Sequence, residues 1–197
     1  MRIWDKFFGN YTRKKPDKSL YLQSKEDPLD ITFVKNFTSK GGLFLFCESA
    51  KSTLDNFKKI CIENNWEDPT AILCLDESLG SYFDIKLSNQ SLGNLKSFKA
   101  VVLYCEYIIS NTGKILLSEH QIKHFKIPNL PETVIIVAKS NQLVKDVSHG
   151  MTLLKNKYGK EIPTNISTLN VKSNSTKEKI TSELETSAKN IYLLLED

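Results

Sequence analysis

Apolar runs of strand length alternate with helical patterns along this chain, and that alternation predicts an α/β fold with a largely parallel sheet. Continuous apolar runs such as residues 43–47 are typical of strands that are buried on both faces. A short turn, Asn111-Thr112-Gly113, separates two neighbouring strand patterns and predicts a hairpin. We therefore expect a mixed, mostly parallel sheet flanked by helices in three layers.

The N-terminal residues predict helices and a basic segment before the sheet begins. Residues 1–9 place apolar side chains on one side of a short predicted helix, and residues 13–18 are rich in Lys and Arg. Asp30 is the expected N-cap of a helix over residues 31–38, which the following glycine pair ends.

Residues 41–197 are expected to form the α/β core, with residues 1–40 as a helical arm packed on or beside it. The segment over residues 76–95 is rich in Ser, Asn and Gly and is expected to be mostly loop. The predicted strands cover residues 43–47, 71–75, 100–105, 107–109, 114–117, 133–138, 166–171 and 191–195. The predicted helices cover residues 50–64 after a Ser49 cap, 142–158 before Gly159, and 176–186.

The composition fits one soluble globular domain. The chain has 197 residues, of which 40% are hydrophobic and 25% are charged. Its net charge of +4 and pI near 8.7 are milder than the basic character of most dedicated nucleic-acid binders. No apolar run approaches the roughly 20 residues that span a bilayer, and residues 1–10 lack a signal-peptide pattern. We therefore expect a cytoplasmic protein that does not bind nucleic acid.

Residues that commonly hold metals or cofactors are scattered along the chain. His120 and His124 stand four residues apart, but no third ligand is nearby, so solvated surface histidines are expected there and at His149. No dinucleotide, P-loop, zinc-protease or nucleophile-elbow motif is present. The carboxylates fall at surface-like positions, and no metal or cofactor is expected. Single cysteines, expected to be buried reduced thiols, stand at Cys47, Cys61, Cys74 and Cys105.

The most specific string covers residues 104–118 and reads YCEYIISNTGKILLS. It resembles the centre of the LUD (lactate-utilisation) domain family, where a strand, an x-T-G turn and a second strand follow one another. Residues 140–146 (SNQLVKD) are similar to the family's S-Q-[IL]-V-x-D stretch with one residue inserted, and residues 191–197 resemble its closing strand. The chain is thus identified as a divergent member, of the C-subunit type.

This resemblance implies a fold similar to the sugar-phosphate isomerase and CoA-transferase superfamily, in which ligands lie beyond strand ends and at helix N-termini. Backbone N–H groups gathered in such places hold anions. Asn111, Thr112, Gly113 and Ser175 are the expected remnants of a ligand site. The alternative is that Thr112-Gly113 only forms a tight turn, with glycine supplying a positive φ.

The sequence departs from the family in its late segment. The family's G-P-S-R-T-A-D-I-E is replaced by residues 172–181, where only Ser175 and Ile180 match, and the following G-x-H-G-P turn is missing. Asn111 stands where the family usually has an acidic or basic residue. The lost Arg removes a bidentate fork for phosphate or carboxylate.

Two functions are consistent with a retained core and an altered site. The first is a non-catalytic or weakly ligand-binding protein that acts through contacts with other cytoplasmic proteins. The alternative is an accessory subunit of L-lactate oxidation to pyruvate that works with iron–sulfur partner proteins, because the chain lacks clustered cysteines of its own. Membrane-surface contact through Trp4, Phe7, Phe8 and the basic segment is an additional hypothesis.

Overall fold

A nine-stranded sheet is the central feature of the computed structural model, which describes residues 27–66, 68–87, 94–172 and 188–197. Its strands are β1 (Leu43–Cys47), β2 (Ile72–Cys74), β3 (Ala100–Tyr104), β4 (Tyr107–Ile109), β5 (Lys114–Leu117), β6 (Thr133–Lys139), β7 (Leu143–Val144), β8 (Ser167–Val171) and β9 (Ala188–Glu196). The α-helices are α1 (Leu29–Thr38), α2 (Ala50–Glu63), α3 (Glu77–Phe83), α4 (Glu119–Ile122) and α5 (Val147–Tyr158).

The sheet consists of two parts that differ in strand direction. Strands β2, β3, β6, β9 and β1 run parallel in that order, and we call them the parallel half. Strands β8, β5, β4 and β7 form the mixed half, in which β5 runs antiparallel to both β8 and β4. A short parallel pairing of β8 with the start of β9 joins the two halves. The predicted mixed, mostly parallel α/β sheet and the hairpin are confirmed.

Helices cover both faces of the parallel half. In β3, Val101 and Leu103 face a core cluster that includes side chains of α1, whereas Ala100 and Val102 face a cluster with α2 and α3. This alternation explains the continuous apolar runs, because both faces of such a strand are covered by helices. A third, smaller cluster lies between α5 and the mixed half and includes Tyr107.

The structure differs from the prediction at one helix start and in one predicted loop. Ser49 caps α2 with a capping box as expected. Helix α1, however, begins with Pro28 at the N-cap position, and Asp30 lies inside the first turn without capping it. A proline fits there because the first N–H groups of a helix have no intrahelical partner. The predicted loop over residues 76–95 contains α3, which the Asp76 carboxylate caps.

The helix predicted over residues 142–158 is shorter than expected. Leu143–Val144 instead pairs with β4 as strand β7, and Asp146 then caps α5. The helix ends at Gly159, whose φ of 58° is the positive value expected of a C-terminal glycine. The sequence predicts a single helix over residues 142–158 because a two-residue strand is too short to show alternation.

Strand β1 is less buried than its apolar sequence predicted. Leu43 is 48% exposed, and the strand pairs with β9, which lies inside the sheet rather than closing it at an edge. The helices predicted over residues 1–9 and 176–186 and the basic segment lie outside the described residues. The boundary at residue 40 stays a prediction, although Phe33 and Phe37 of α1 belong to the main core cluster. Within the described ranges, no helix is long and apolar enough to cross a membrane.

Candidate functional site

The Asn111-Thr112-Gly113 turn connects β4 to β5 and lies against α1. Gly113 has a φ of 61°, and its N–H donates to the carbonyl of Ile109 at 2.8 Å. A Cβ atom at Gly113 would lie 2.6 Å from the backbone nitrogen of Phe37, closer than a real side chain can approach. Glycine is therefore required here both for the positive φ and for the close contact with the helix.

Side-chain hydrogen bonds fasten α1 to this turn at several points. Asn36 Nδ2 donates to the carbonyl of Ser110 at 2.9 Å, and Ser110 Oγ donates to the carbonyl of Leu29 at 2.6 Å. Lys40 Nζ donates to the carbonyl of Thr112 at 2.6 Å. The surface of the turn on which a ligand was expected is therefore occupied by the chain's own helix.

The predicted site residues have different environments. Asn111 is exposed, and its N–H donates to the carbonyl of Lys145 at 3.0 Å. The Thr112 hydroxyl oxygen is buried and has no hydrogen-bond partner among the described residues. Gly113 is buried beneath α1. Ser175 lies outside the described residues, so its proximity to the turn stays a prediction.

A cavity of about 120 Å³ opens elsewhere, between α1 and the carboxyl ends of the central parallel strands. Phe46 and Leu195 stand next to the last residues of β1 and β9, and both line it. Crevices beyond the carboxyl ends of parallel strands are the usual ligand sites of open α/β sheets. The apolar wall consists of Phe33, Val34, Phe44, Phe46, Ile108, Leu143 and Leu195.

Three polar residues are among those that line this cavity. Two of them are acidic: Asp30, in the first turn of α1, and Asp197, just after β9. Ser140 follows β6, and its hydroxyl donates to the carbonyl of Glu196 at 3.0 Å. The charged groups of the cavity are therefore acidic, which does not suit the anionic ligands expected at strand ends.

A fully buried carboxylate lies at the passage from β3 to β4. The side chain of Glu106 is 0% exposed, and it accepts hydrogen bonds from two groups of the α4 region. Ser118 Oγ donates to Oε1 at 2.8 Å, and Gln121 Nε2 donates to the same oxygen at 3.0 Å. From α5, Lys157 Nζ donates to Oε2 at 3.0 Å, and the Tyr158 hydroxyl lies 3.1 Å from Oε1. We call these five residues the Glu106 network.

The network holds Glu106 in its ionised form. Burial favours the protonated acid, but the hydrogen bonds, led by those from Gln121 and Lys157, outweigh it, so the pKa of Glu106 lies below its ordinary value. Burial acts against the charge of Lys157, and its hydrogen bonds to Tyr158 and Glu106 raise its pKa nonetheless. With every donor directed at one carboxylate, the arrangement ties α4 and α5 to the sheet.

The expectation that carboxylates occupy surface-like positions is therefore wrong for Glu106. Its signal in the sequence is a charged residue between two apolar strand patterns, where few positions are left to solvent. The partners Lys157 and Tyr158 stand far along the chain, so no spacing rule links them to it.

The histidines do not come together. Helix α4 ends at Ile122, so His124 does not share a helix face with His120, whose Nδ1 lies 3.1 Å from the Tyr158 hydroxyl. His149 stands in the first turn of α5. In the part of the chain that the structure describes, no three potential ligands lie close enough to hold a metal ion.

The cysteines are separate thiols. Each is unpaired, and Cys61 is the one that is not fully buried. Burial raises the pKa of the Cys61, Cys74 and Cys105 thiols, which keeps them protonated and weakly nucleophilic.

Known proteins support this architecture. The crystal structure of a DUF162 family protein from Deinococcus radiodurans superposes with a TM-score of 0.63, over 86% of this chain and 96% of that chain, at 15% sequence identity. The chain therefore has the α/β fold of that DUF162 family structure. The sequence profile of the LUD domain matches residues 94–195, and the chain belongs to the LUD domain family. No curated protein sequence matches it.

Proposed function

We propose that this LUD-domain protein acts in the cytoplasm through contacts with other proteins, and that it does not turn over an anionic metabolite at the Asn111-Thr112-Gly113 turn. The observation that carries the proposal is the packing of α1 on that turn. A position where a Cβ would lie 2.6 Å from helix backbone leaves no room for a carboxylate or phosphate.

The charges near the turn support the same conclusion. Lys40 reaches the turn, and its ammonium group donates to the carbonyl of Thr112. An anion site needs donors that are still available, such as helix N-terminal N–H groups or an Arg fork. Here the carboxyl-terminal part of α1 faces the turn, and the negative end of a helix dipole repels anions.

The first experiment is thermal unfolding of the full-length protein with lactate, pyruvate, CoA, nucleotides, sugar phosphates and folates. A ligand that binds only the folded state stabilises it by about 2.7 kcal/mol at a hundredfold excess over its dissociation constant. We expect no shift of the unfolding midpoint with any of these anions. A shift that disappears in Asn111→Ala but persists in the exposed-site control Glu161→Gln would contradict the proposal.

The alternative, an accessory role in L-lactate oxidation, predicts a partner that carries iron and sulfide. Purification of the tagged protein from its own cells, followed by measurement of iron and acid-labile sulfide, separates the two functions. Stoichiometric iron in the complex, together with lost growth on lactate after deletion of the gene, would favour the alternative. A complex without iron and unchanged growth on lactate would favour the contact role.

A further inference from the structure

The cavity beneath α1 has a different chemistry from the turn and is a site of its own. We propose that it binds a small primary amine, whose apolar body fills the space between α1 and the sheet and whose ammonium group lies between Asp30 and Asp197. This inference goes beyond the proposed function and is independent of it, because the proposed function concerns the turn.

The size and walls of the cavity determine the body of the ligand. The cavity holds about 120 Å³ and is lined by aromatic and aliphatic side chains from α1, β1, β4, β7 and β9. An apolar cavity of about 150 Å³ in another protein stays free of water and takes up benzene. A single aromatic ring or a branched chain of about five carbon atoms is therefore the expected size.

The charges of the lining residues determine the head group of the ligand. Asp30 and Asp197 are acidic, Ser140 is neutral, and no Lys, Arg or His lines the cavity among the residues that the structure describes. An ammonium group is attracted by this pair of carboxylates, whereas a carboxylate or phosphate is repelled. The serine hydroxyl provides an oxygen that accepts a hydrogen bond from an ammonium N–H.

A purely structural role accounts for one carboxylate but not for both. Asp30 stands in the first turn of α1, where a negative charge stabilises the positive end of the helix. Asp197 follows β9 and belongs to no helix. A helix-end role predicts that Asp30→Asn lowers stability without affecting amine binding, and the experiment measures both quantities.

The test uses the full-length protein with benzylamine, benzyl alcohol and benzoate, which share one ring and differ in the charge of the head group. Isothermal titration calorimetry is expected to give the tightest binding for benzylamine, in the millimolar range that is ordinary for a fragment of this size. Asp30→Asn and Asp197→Asn should each weaken benzylamine binding about two- to fivefold, as expected for partly exposed charge pairs, and leave benzyl alcohol unchanged. Asp55→Asn, on the exposed side of α2, is the matched control and should change neither.

Variants with larger side chains in the cavity wall distinguish binding in this cavity from binding elsewhere on the protein. Leu143→Phe should abolish the binding of both benzylamine and benzyl alcohol, and the milder Val34→Ile should weaken both while leaving the fold intact. Three results would overturn the proposal: no binding of benzylamine to the wild type, benzoate binding as tight as that of benzylamine, or undiminished binding in Val34→Ile. None of these results bears on the anion experiment at the turn.

Discussion

In the parallel half of the sheet the buried residues are almost all aliphatic. In the mixed half, three buried polar residues stand directly beside the ends of β4 and β5: Glu106, Ser110 and Ser118. The buried polar residues of the parallel half, Thr133 and Lys189, stand near the amino ends of β6 and β9. Both halves bury most of their strand residues, but the parallel half is held mainly by apolar contact, whereas hydrogen bonds to Glu106 also hold the mixed half. The stability of the mixed half should therefore fall in acid, as the Glu106 carboxylate is protonated.

Leu193→Ala has the largest expected effect and tests the apolar half. Leu193 is fully buried in the main cluster, so its truncation leaves a cavity and should lower the free energy of unfolding by about 2–5 kcal/mol. Urea denaturation at pH 7 and at pH 5 measures it, and the loss should be the same at both values. The matched control, Ile62→Ala on the 65% exposed Ile62, should cost little. A loss that differs between the two pH values would contradict the comparison.

Glu106→Gln tests the contribution of the Glu106 network to the stability of the mixed half. Replacing the carboxylate weakens hydrogen bonds to a charged group, and we expect a loss of about 2–4 kcal/mol at pH 7. Because the folded-state pKa of Glu106 lies below the ordinary value of about 4.3, its contribution is complete above that pH. It disappears as the pH falls from there through the folded-state pKa.

The measurement is the free energy of unfolding of wild type and variant as a function of pH. The two curves should approach each other below about pH 4.3, since protonated Glu106 no longer supplies the carboxylate. The matched control, Glu161→Gln at an exposed glutamate, should leave the free energy of unfolding at pH 7 unchanged. Parallel curves for Glu106→Gln down to pH 3 would show that the network does not hold the ionised form.

Thr112→Val has the smallest expected effect and tests whether the Thr112 hydroxyl contributes to the stability of the turn. The Thr112 hydroxyl oxygen is buried without a partner among the described residues, so replacing it by a methyl group removes an unpaired polar atom. The free energy of unfolding should change by less than about 0.5 kcal/mol or rise slightly. A clear loss, measured by the same denaturation, would show that the hydroxyl has a role in the folded protein.

The parallel half could be predicted from sequence because its strands are continuous apolar runs, and β3 and β6 fell within one residue of their predicted bounds. The failures are local. Strand β7 has two residues, and the α3 pattern of Leu79 and Phe83 stands in a polar surrounding that resembles a loop. Propensity does not show such short elements, because tertiary contacts decide them.

The candidate site could be predicted only in part. The turn was found because glycine at a positive φ leaves a signature in the sequence. The sequence does not show that α1 covers the turn or that Asp30 and Asp197 line one cavity, because both depend on contacts between residues far apart in the chain. The Glu106 network was missed for the same reason, since its members come from three separate segments.

Strand β9 makes folding of this protein a long-range problem. It pairs with β6, β1 and β8, and the pairing of Leu43 with Tyr192 joins nearly opposite ends of the sequence. Local helices can form early, but β1, β6 and β8 are joined to one another only when β9 pairs with all three. High sequence separation between contacts slows folding, so refolding should be slow and cooperative, with β9 docking as the step that completes the sheet.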